Sequence, residues 1–187
     1  LQERIWKPLG MLDTSFVIPP EKVKRYAKAL PNDPDTGKPQ TVADRTKPTK
    51  FECGGGCAAS TAGDYVRFAQ MLLNRGRLGD IRVLGSKSVD YMTADHLGPE
   101  IANHLELTDP TRAGYGFGLT MAVRRSTGGP GVMGSPGDFT WGGANGTNFW
   151  VDPKEQLVVV FMAHTPGPMR LHYRKVINAL VLQAIVD

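Results

Sequence analysis

The stretch GDFTWGGANGTNFWVDPKEQLVVVFM, from Gly137 to Met162, decides how this chain folds. It places an aromatic residue and two adjacent glycines, Gly142 and Gly143, just before a strongly apolar segment. Glycine usually weakens a strand, because it packs nothing and costs backbone entropy. Two explanations are open. The pair forms a β-bulge that turns the strand, or it lets another backbone or a flat acyl group approach closely.

Strand patterns surround this glycine pair. Residues 115–123 alternate large and small side chains, which predicts one half-buried strand. Residues 139–143 and 147–151 predict strand with a bend at 144–146, and the apolar run 157–163 predicts a central strand covered on both faces. A last helix is expected to lie on this sheet through one apolar stripe formed by Val176, Ile177, Leu180, Val181, Ala184 and Ile185.

The first part of the chain reads as helix and loop. Residues 60–74 give the clearest helix signal, with Thr61 and Asp64 as a capping pair and Gly76 as the stop. A shorter helix is predicted over 86–94, capped by its first serine.

Upstream of these helices, residues 2–9 indicate the tail of a helix and residues 23–30 a strand. The polar, proline-broken segment 37–50 predicts an irregular excursion. The chain is therefore expected to be α+β, of the α/β sandwich type. Residues 1–114 would form a helical and loop region, and residues 115–187 antiparallel strands with a C-terminal helix packed on them.

Composition bounds the function only loosely. The chain has 187 residues, 41% hydrophobic and 21% charged, which suits one domain with a sizeable core. No apolar run is long enough to span a bilayer. The net charge of +4 arises within residues 22–50, where eight bases meet three acids. Because prolines and acids interrupt those bases, a solvated loop is favoured over a nucleic-acid-binding face.

The cysteines and histidines do not indicate a metal site. Cys53 and Cys57 enclose three glycines, so a disulfide is sterically feasible, and two free buried thiols are the alternative. No second Cys or His pair follows to complete a zinc site. His96 and His104 have neither helical nor strand spacing for a metal pair, and we expect no metal and no other cofactor.

Four segments carry a family resemblance: PLGMLDTSF, GGGCAASTAGDYVRFAQMLLNRGRLG, YGFGL, and the stretch from Gly134 to Met162. In this order and spacing they resemble the C-terminal half of the serine β-lactamase-like hydrolases. That superfamily includes class C β-lactamases, penicillin-binding proteins, D-stereospecific aminopeptidases and family VIII esterases. The resemblance covers nearly the whole chain and implies an incomplete β-lactamase/transpeptidase-like fold.

The resemblance also implies a site. These hydrolases use a Ser-x-x-Lys nucleophile and base, a tyrosine relay such as Tyr-x-Asn, and a strand bearing Lys-Thr-Gly, His-x-Gly or Trp-Gly-Gly. Trp141, Gly142 and Gly143 match the strand and would line the substrate. By the same match, the N–H of Ala144 would be an oxyanion donor, and Gly56 would lie near the site wall.

The first two elements are missing from the sequence. No serine is followed three residues later by lysine, and no tyrosine two residues later by asparagine. Both elements precede the matched region in the family, so we expect a C-terminal fragment that is inactive alone. Its expected partners are the N-terminal portion of the same protein and a small ester, amide or β-lactam. No nucleic acid is expected, and an exposed sheet edge could pair with a second copy.

Three further residues bear on the chemistry. Ser135 resembles a nucleophile elbow, but Met133 stands where Gly-x-Ser-x-Gly needs its first glycine, so we predict a turn. His164 is interpreted as a strand-end histidine rather than a general base. Trp141 stands where many members carry a cation, which favours an esterase-like or peptidase-like parent over an efficient β-lactamase. The alternative hypothesis is a non-catalytic substrate-binding or sensor module with the same fold.

Overall fold

The computed structural model describes residues 1–48, 50–51, 53–98, 100–101, 103–128 and 131–186. Three α-helices and seven strands alternate with shorter helical turns in this part of the chain. In order, the elements are a π-helical turn (Gln2–Trp6), a 3-10 helix (Pro20–Arg25), α1 (Ala62–Leu73), β1 (Arg77–Leu78), β2 (Ile81–Arg82), α2 (Ser86–Met92), 3-10 turns Leu105–Leu107 and Pro110–Arg112, β3 (Tyr115–Phe117), β4 (Ala122–Arg124), β5 (Phe139–Gly142), β6 (Asn148–Asp152), β7 (Leu157–Phe161) and α3 (Met169–Leu182).

Five strands form one antiparallel sheet in the order β3-β4-β5-β6-β7, so each pairs with its neighbour along the chain. Phe139 stands in the middle of the register, opposite Val123 on β4 and Val151 on β6. The short pair β1 and β2 forms a separate ribbon. The predicted α+β class, with an antiparallel sheet and a helix following it, is confirmed.

One face of the sheet carries the apolar core. Side chains of Val123, Phe139, Phe149 and Val151 cluster with buried residues of α1 and with Leu9. Helix α1 begins as predicted, because the Thr61 hydroxyl accepts a hydrogen bond of 3.2 Å from the Asp64 N–H. The Asp64 carboxylate does not return to Thr61; it accepts instead from the Asp13 N–H at 2.7 Å. This bond fastens the N-terminal segment to the helix.

Two strand predictions are wrong in detail. Residues 115–123 form two strands, β3 and β4, because Thr120 takes a φ of 74° and the Gly118 N–H bonds the Met121 carbonyl across the turn. Residues 139–151 likewise form two strands joined by a tight loop, rather than one bent strand. Glycine or asparagine usually marks a turn residue with positive φ. Because Thr120 is neither, the sequence does not indicate this turn.

The prediction of a strand within 23–30 is also wrong. Pro20 begins a 3-10 helix that ends at Arg25, and the segment is held by ion pairs from Lys22 and Arg25 to Asp13 at 2.7 and 2.8 Å. Proline at the first position of a helix costs no hydrogen bond, which favours this start. In the excursion predicted over 37–50, the described residues 37–48 and 50 are irregular apart from an isolated bridge between Asn32 and Pro39, and residue 49 lies outside the described residues.

Strand β7 is not the central strand that its apolar run suggested. It is the last strand of the sheet, paired only with β6 among the described residues, and its five residues are half-buried. Helix α1 packs against β6 and β7 on one face. The prediction that a sheet edge lets two copies associate stays a prediction.

Helix α3 contradicts the predicted apolar stripe. Its buried residues are Arg174 and Asn178. Of the predicted stripe, Ile177 and Val181 are half-buried, whereas Val176, Leu180, Ala184 and Ile185 are exposed. The two buried polar side chains bind loops beside the sheet: Arg174 bonds the Gly143 carbonyl, and Asn178 bonds the Met133 carbonyl. Tyr173 of the same helix contacts the ring of Phe161 on β7. Helix α2 differs too, since its N-cap is Gly85 and no side chain caps it. The division of the chain at residue 114 remains a prediction.

Cys53 and Cys57 form a disulfide, with their Cα atoms 5.3 Å apart. This resolves the alternative left open by the sequence. The three glycines between them let the short loop close. No helix among the described residues is both long enough and apolar enough to cross a membrane.

Candidate active site

A broad groove of about 980 Å³ runs along the end of the sheet. Its walls come from the N-terminal segment, the Cys53–Cys57 loop, helix α1 and the end of β5 with the loop that follows. All five residues that the resemblance singled out line this one groove: Gly56, Trp141, Gly142, Gly143 and Ala144. The fold therefore brings together residues that lie up to 88 positions apart in the sequence.

The β5 backbone presents an open edge to this groove. The Gly143 N–H bonds the Thr147 carbonyl at 2.8 Å, so the N–H of residue 143 points toward β6. Since a strand alternates, the N–H and C=O of Gly142 point to the opposite edge. Strand β4 pairs with β5 only as far as Thr140, opposite Ala122, so Gly142 lies beyond the last β4 partner.

Ala144 continues this open edge into the loop between β5 and β6. It is exposed, and no acceptor among the described residues bonds its N–H. The loop itself is well fixed: the Gly146 N–H bonds the Gly143 carbonyl at 3.2 Å, and the Asn145 carbonyl accepts from the Thr165 N–H at 2.7 Å. A hydrogen-bond donor held by a rigid loop at the side of a groove is suited to bind an oxygen atom of a ligand.

The glycine pair has an explanation that the sequence did not provide. A side chain at Gly142 would overlap the guanidinium of Arg174, and one at Gly143 would overlap the hydroxyl of Thr147. Arg174 uses that space to donate a hydrogen bond of 2.8 Å to the Gly143 carbonyl. The absence of a side chain at Gly142 thus leaves room for Arg174 on one face of the strand. The edge of the strand faces the groove.

Arg174 is fixed by a second contact. Its Nη1 lies 2.7 Å from Oδ2 of Asp109, and its Nη2 also reaches the Thr147 carbonyl at 3.3 Å. Burial lowers the pKa of Arg174, and the neighbouring Asp109 opposes this effect. Sequence reasoning missed both residues, because an arginine in a helix with many polar residues gives no signal that it is buried.

Trp141 presents an aromatic ring to the groove. Its side chain is 37% exposed, and the ring meets Phe117 edge-on with centroids 5.6 Å apart. Across the groove, Tyr65 of α1 packs against Phe149 at 5.2 Å, and burial raises the pKa of the Tyr65 hydroxyl. The N-terminal segment contributes charged residues to the groove, namely Asp13, Lys22 and Arg25. Hydrogen bonds from Lys22 and Arg25 lower the pKa of Asp13.

Two serines reach the groove, and neither has a base beside it. The Ser15 hydroxyl donates to the Val17 carbonyl at 2.8 Å. The Ser60 hydroxyl lies 2.7 Å from the hydroxyl of Thr14, which in turn donates to Asp64. Within the described residues, no lysine or histidine bonds either hydroxyl. Ser60 therefore helps to join the N-terminal segment to α1 through Thr14, and the Ser15 hydroxyl stays within its own segment.

The remaining candidates lie as follows. Ser135 sits in a turn closed by a 3.0 Å bond from the Asp138 N–H to its carbonyl, outside the groove. His164 lines the groove just past β7, and its Nδ1 lies 2.7 Å from the Ala27 carbonyl, so Nδ1 carries the proton. His96 bonds the Tyr91 carbonyl at 2.7 Å. No cluster of three or more His, Cys, Asp or Glu occurs in the ranges that the structure describes.

Comparison with known proteins places this arrangement in a family. The beta-lactamase family model matches residues 1–183, and the chain belongs to that family. The sequence-based resemblance is therefore confirmed.

Individual relatives agree with this assignment. The chain is 35% identical over 175 residues to protein Rv1367c of Mycobacterium tuberculosis, covering 89% of this chain and 43% of that protein. It is 28% identical over 176 residues to lovastatin esterase of Penicillium rubens, covering 84% of this chain and 42% of the esterase. Unliganded simvastatin synthase (LovD) from Aspergillus terreus shares the fold, with a TM-score of 0.75 and 22% identity over 100% of this chain and 50% of LovD. The chain thus spans less than half the length of the curated relatives it matches.

Proposed function

We propose that this chain forms the oxyanion side of an acyl-transfer site in a serine hydrolase that cleaves an ester or amide through an acyl-enzyme. The observation that supports this most directly is the exposed Ala144 N–H, which has no acceptor among the described residues and lies beside the open edge at Gly142. In other enzymes one such donor lowers the barrier by about 3–4 kcal/mol.

Trp141 favours an uncharged acyl or alcohol group. Its exposed ring lies on the same groove as Ala144 and offers an apolar surface without a cation. An aromatic ring stacks on apolar or flat groups and gains most of its energy from burial. That one relative is a lovastatin esterase supports an ester as the substrate class.

The nucleophile and its base are proposed to lie outside this chain. The sequence contains no Ser-x-x-Lys, and Ser15 and Ser60 have hydrogen bonds that tie the N-terminal segment rather than activate a hydroxyl. A serine without a base is a weak nucleophile. We therefore expect the chain alone to be inactive and to act together with an N-terminal portion of the same protein.

The first test is incubation of the 187-residue chain with nitrocefin and with p-nitrophenyl butyrate. We expect neither a burst of product nor steady turnover above the rate in buffer. Intact-mass measurement after the incubation checks for covalent acylation. Stoichiometric acylation of any serine in the chain would contradict the placement of the nucleophile elsewhere.

The second test joins this chain to the segment encoded directly upstream of it. If that segment carries a Ser-x-x-Lys, the assembly should hydrolyse p-nitrophenyl butyrate. Ala144→Pro, which removes the N–H, should then lower kcat by about 100-fold to 1000-fold, as loss of one oxyanion donor does elsewhere. Ala144→Gly keeps the N–H and is the matched control.

A non-catalytic binding module is the alternative that the missing Ser-x-x-Lys favours. It predicts that the upstream segment also lacks the motif and that the assembly binds an ester without cleaving it. An unchanged kcat in Ala144→Pro would instead refute the role of this N–H while leaving the family assignment intact.

A further inference from the structure

We infer that Arg174 is a positioning residue for the oxyanion donor. The inference rests on the proposed function, and it names a residue on the far side of the sheet from the groove. Arg174 belongs to α3, whereas the donor belongs to the loop after β5. The two are joined by a single peptide unit.

That unit is the peptide bond between Gly143 and Ala144. A peptide group is planar and trans, so its C=O and N–H point in opposite directions. Arg174 Nη2 donates to the Gly143 carbonyl at 2.8 Å, and the Gly146 N–H donates to the same oxygen at 3.2 Å. Two donors on the carbonyl side therefore fix the direction in which the Ala144 N–H points.

The contact also changes the strength of the donor. A hydrogen bond from a charged guanidinium is stronger than one from a neutral group and polarises the peptide that accepts it. Polarisation leaves the N–H at the other end of the same peptide more positive. The Ala144 N–H thereby becomes a better donor toward a negatively charged oxygen.

Several features show that the structure holds Arg174 in this position. Its side chain is 6% exposed, and Asp109 binds Nη1 at 2.7 Å. Gly142 has no side chain at the place where the guanidinium passes. Any larger residue at 142 would displace the arginine from the Gly143 carbonyl, which explains the first glycine of the pair.

The experiment uses the labelled 187-residue chain and NMR. The amide ¹⁵N shift of Ala144 and the carbonyl ¹³C shift of Gly143 report the bonds made by the Gly143 carbonyl. Arg174→Met should move both resonances together, because it removes the donor and keeps an apolar side chain of similar length. Arg170→Ala is the control: Arg170 lies one turn earlier on α3 and donates to the Gly167 carbonyl at 2.6 Å instead.

A second variant reaches the same contact from the strand. Gly142→Ala should displace the guanidinium and move the same two resonances, even if Arg174→Met fails to fold. Resonances of Phe139 and Val151, in the apolar core, should stay in place and report an intact sheet. Unmoved Ala144 and Gly143 resonances in a folded variant would overturn the inference.

Kinetics of the assembled enzyme separate this inference from the proposed function. Arg174→Met should lower kcat by about tenfold or more with a smaller change in KM, since the donor acts on the transition state. Arg170→Ala should keep the parent kcat. If no assembly turns over, the proposed function fails while the NMR test still stands. If the assembly turns over and Arg174→Met keeps full kcat, this inference fails alone.

Discussion

The two faces of the sheet are built by opposite means. The face toward α1 is apolar, with Val123, Phe139 and Val151 exposed by 5% or less. The face toward α3 buries three arginines, Arg112, Arg124 and Arg174, each exposed by 6% or less. Apolar contacts tolerate small changes in geometry, whereas buried charges need partners at defined distances. One face therefore contributes apolar burial, and the other sets the direction of the backbone at the end of β5.

The polar face is a connected set of hydrogen bonds. Arg112 donates to the Thr140 hydroxyl at 2.8 Å and to Asn148 at 2.9 Å. Arg124 binds Asp138 at 2.6 Å and the hydroxyl of Tyr115 at 2.6 Å. Because each bond holds two strands or a strand and a loop, the network determines where the end of β5 lies. The candidate oxyanion donor follows directly from that strand end.

The largest effect should come from the apolar face. Phe139→Ala removes a ring that is 2% exposed and in contact with the main core cluster. We expect the free energy of unfolding to fall by about 3–5 kcal/mol, from lost burial and a residual cavity. Urea unfolding followed by circular dichroism measures this. A loss below about 1 kcal/mol would mean that the apolar face is not the main source of stability.

The sequence predicted the apolar face far better than the polar one. The sequence predicts helix α1 and the strands at 147–151 and 157–163 clearly, because apolar residues at regular spacing have one simple meaning. The sequence did not predict the buried pair of Arg174 and Asp109. Burial of an arginine depends on partners that are distant in the sequence, and here the two residues are 65 positions apart. For the same reason the sequence predicts that the apolar residues of α3 face the sheet, whereas the buried residues of this helix are Arg174 and Asn178.

The sequence could name residues that line one groove, but it could not explain the glycines among them. The motif at Trp141, Gly142 and Gly143 named residues that do line one groove with Gly56 and Ala144. The reason for the glycines required coordinates, because the atom that needs their space belongs to α3. Neither of the two explanations open at the start described an arginine passing the strand.

A smaller effect should separate the polar face from the apolar one. Arg124→Met leaves Asp138, which is 1% exposed, without its ionic partner, and should cost about 3 kcal/mol. The double variant Arg124→Met/Asp138→Asn removes both charges and should cost less than the single variant. Urea unfolding of the parent, both single variants and the double variant completes the cycle. Strictly additive losses would show that the two side chains do not act as a pair.

The smallest effect expected is a difference in pH dependence. Burial raises the pKa of Asp138 above the ordinary range of an aspartate, outweighing the contact with Arg124. The folded state then binds a proton more readily than the unfolded chain, so this carboxyl favours folding most below about pH 3.8. That contribution is lost as the pH rises through the folded-state pKa.

Asp138→Asn removes this linkage, so the unfolding free energy of the variant minus that of the parent should increase with pH from about 4 upward. Asp13, whose pKa is lowered by Lys22 and Arg25, has the opposite sign and supplies the control. Its contribution is present at neutral pH and is lost on acidification, so the same difference for Asp13→Asn should decrease as the pH rises. Equal slopes for the two variants would mean that burial on the polar face does not set the protonation of Asp138. The contrast between the two faces would then be one of packing rather than of charge.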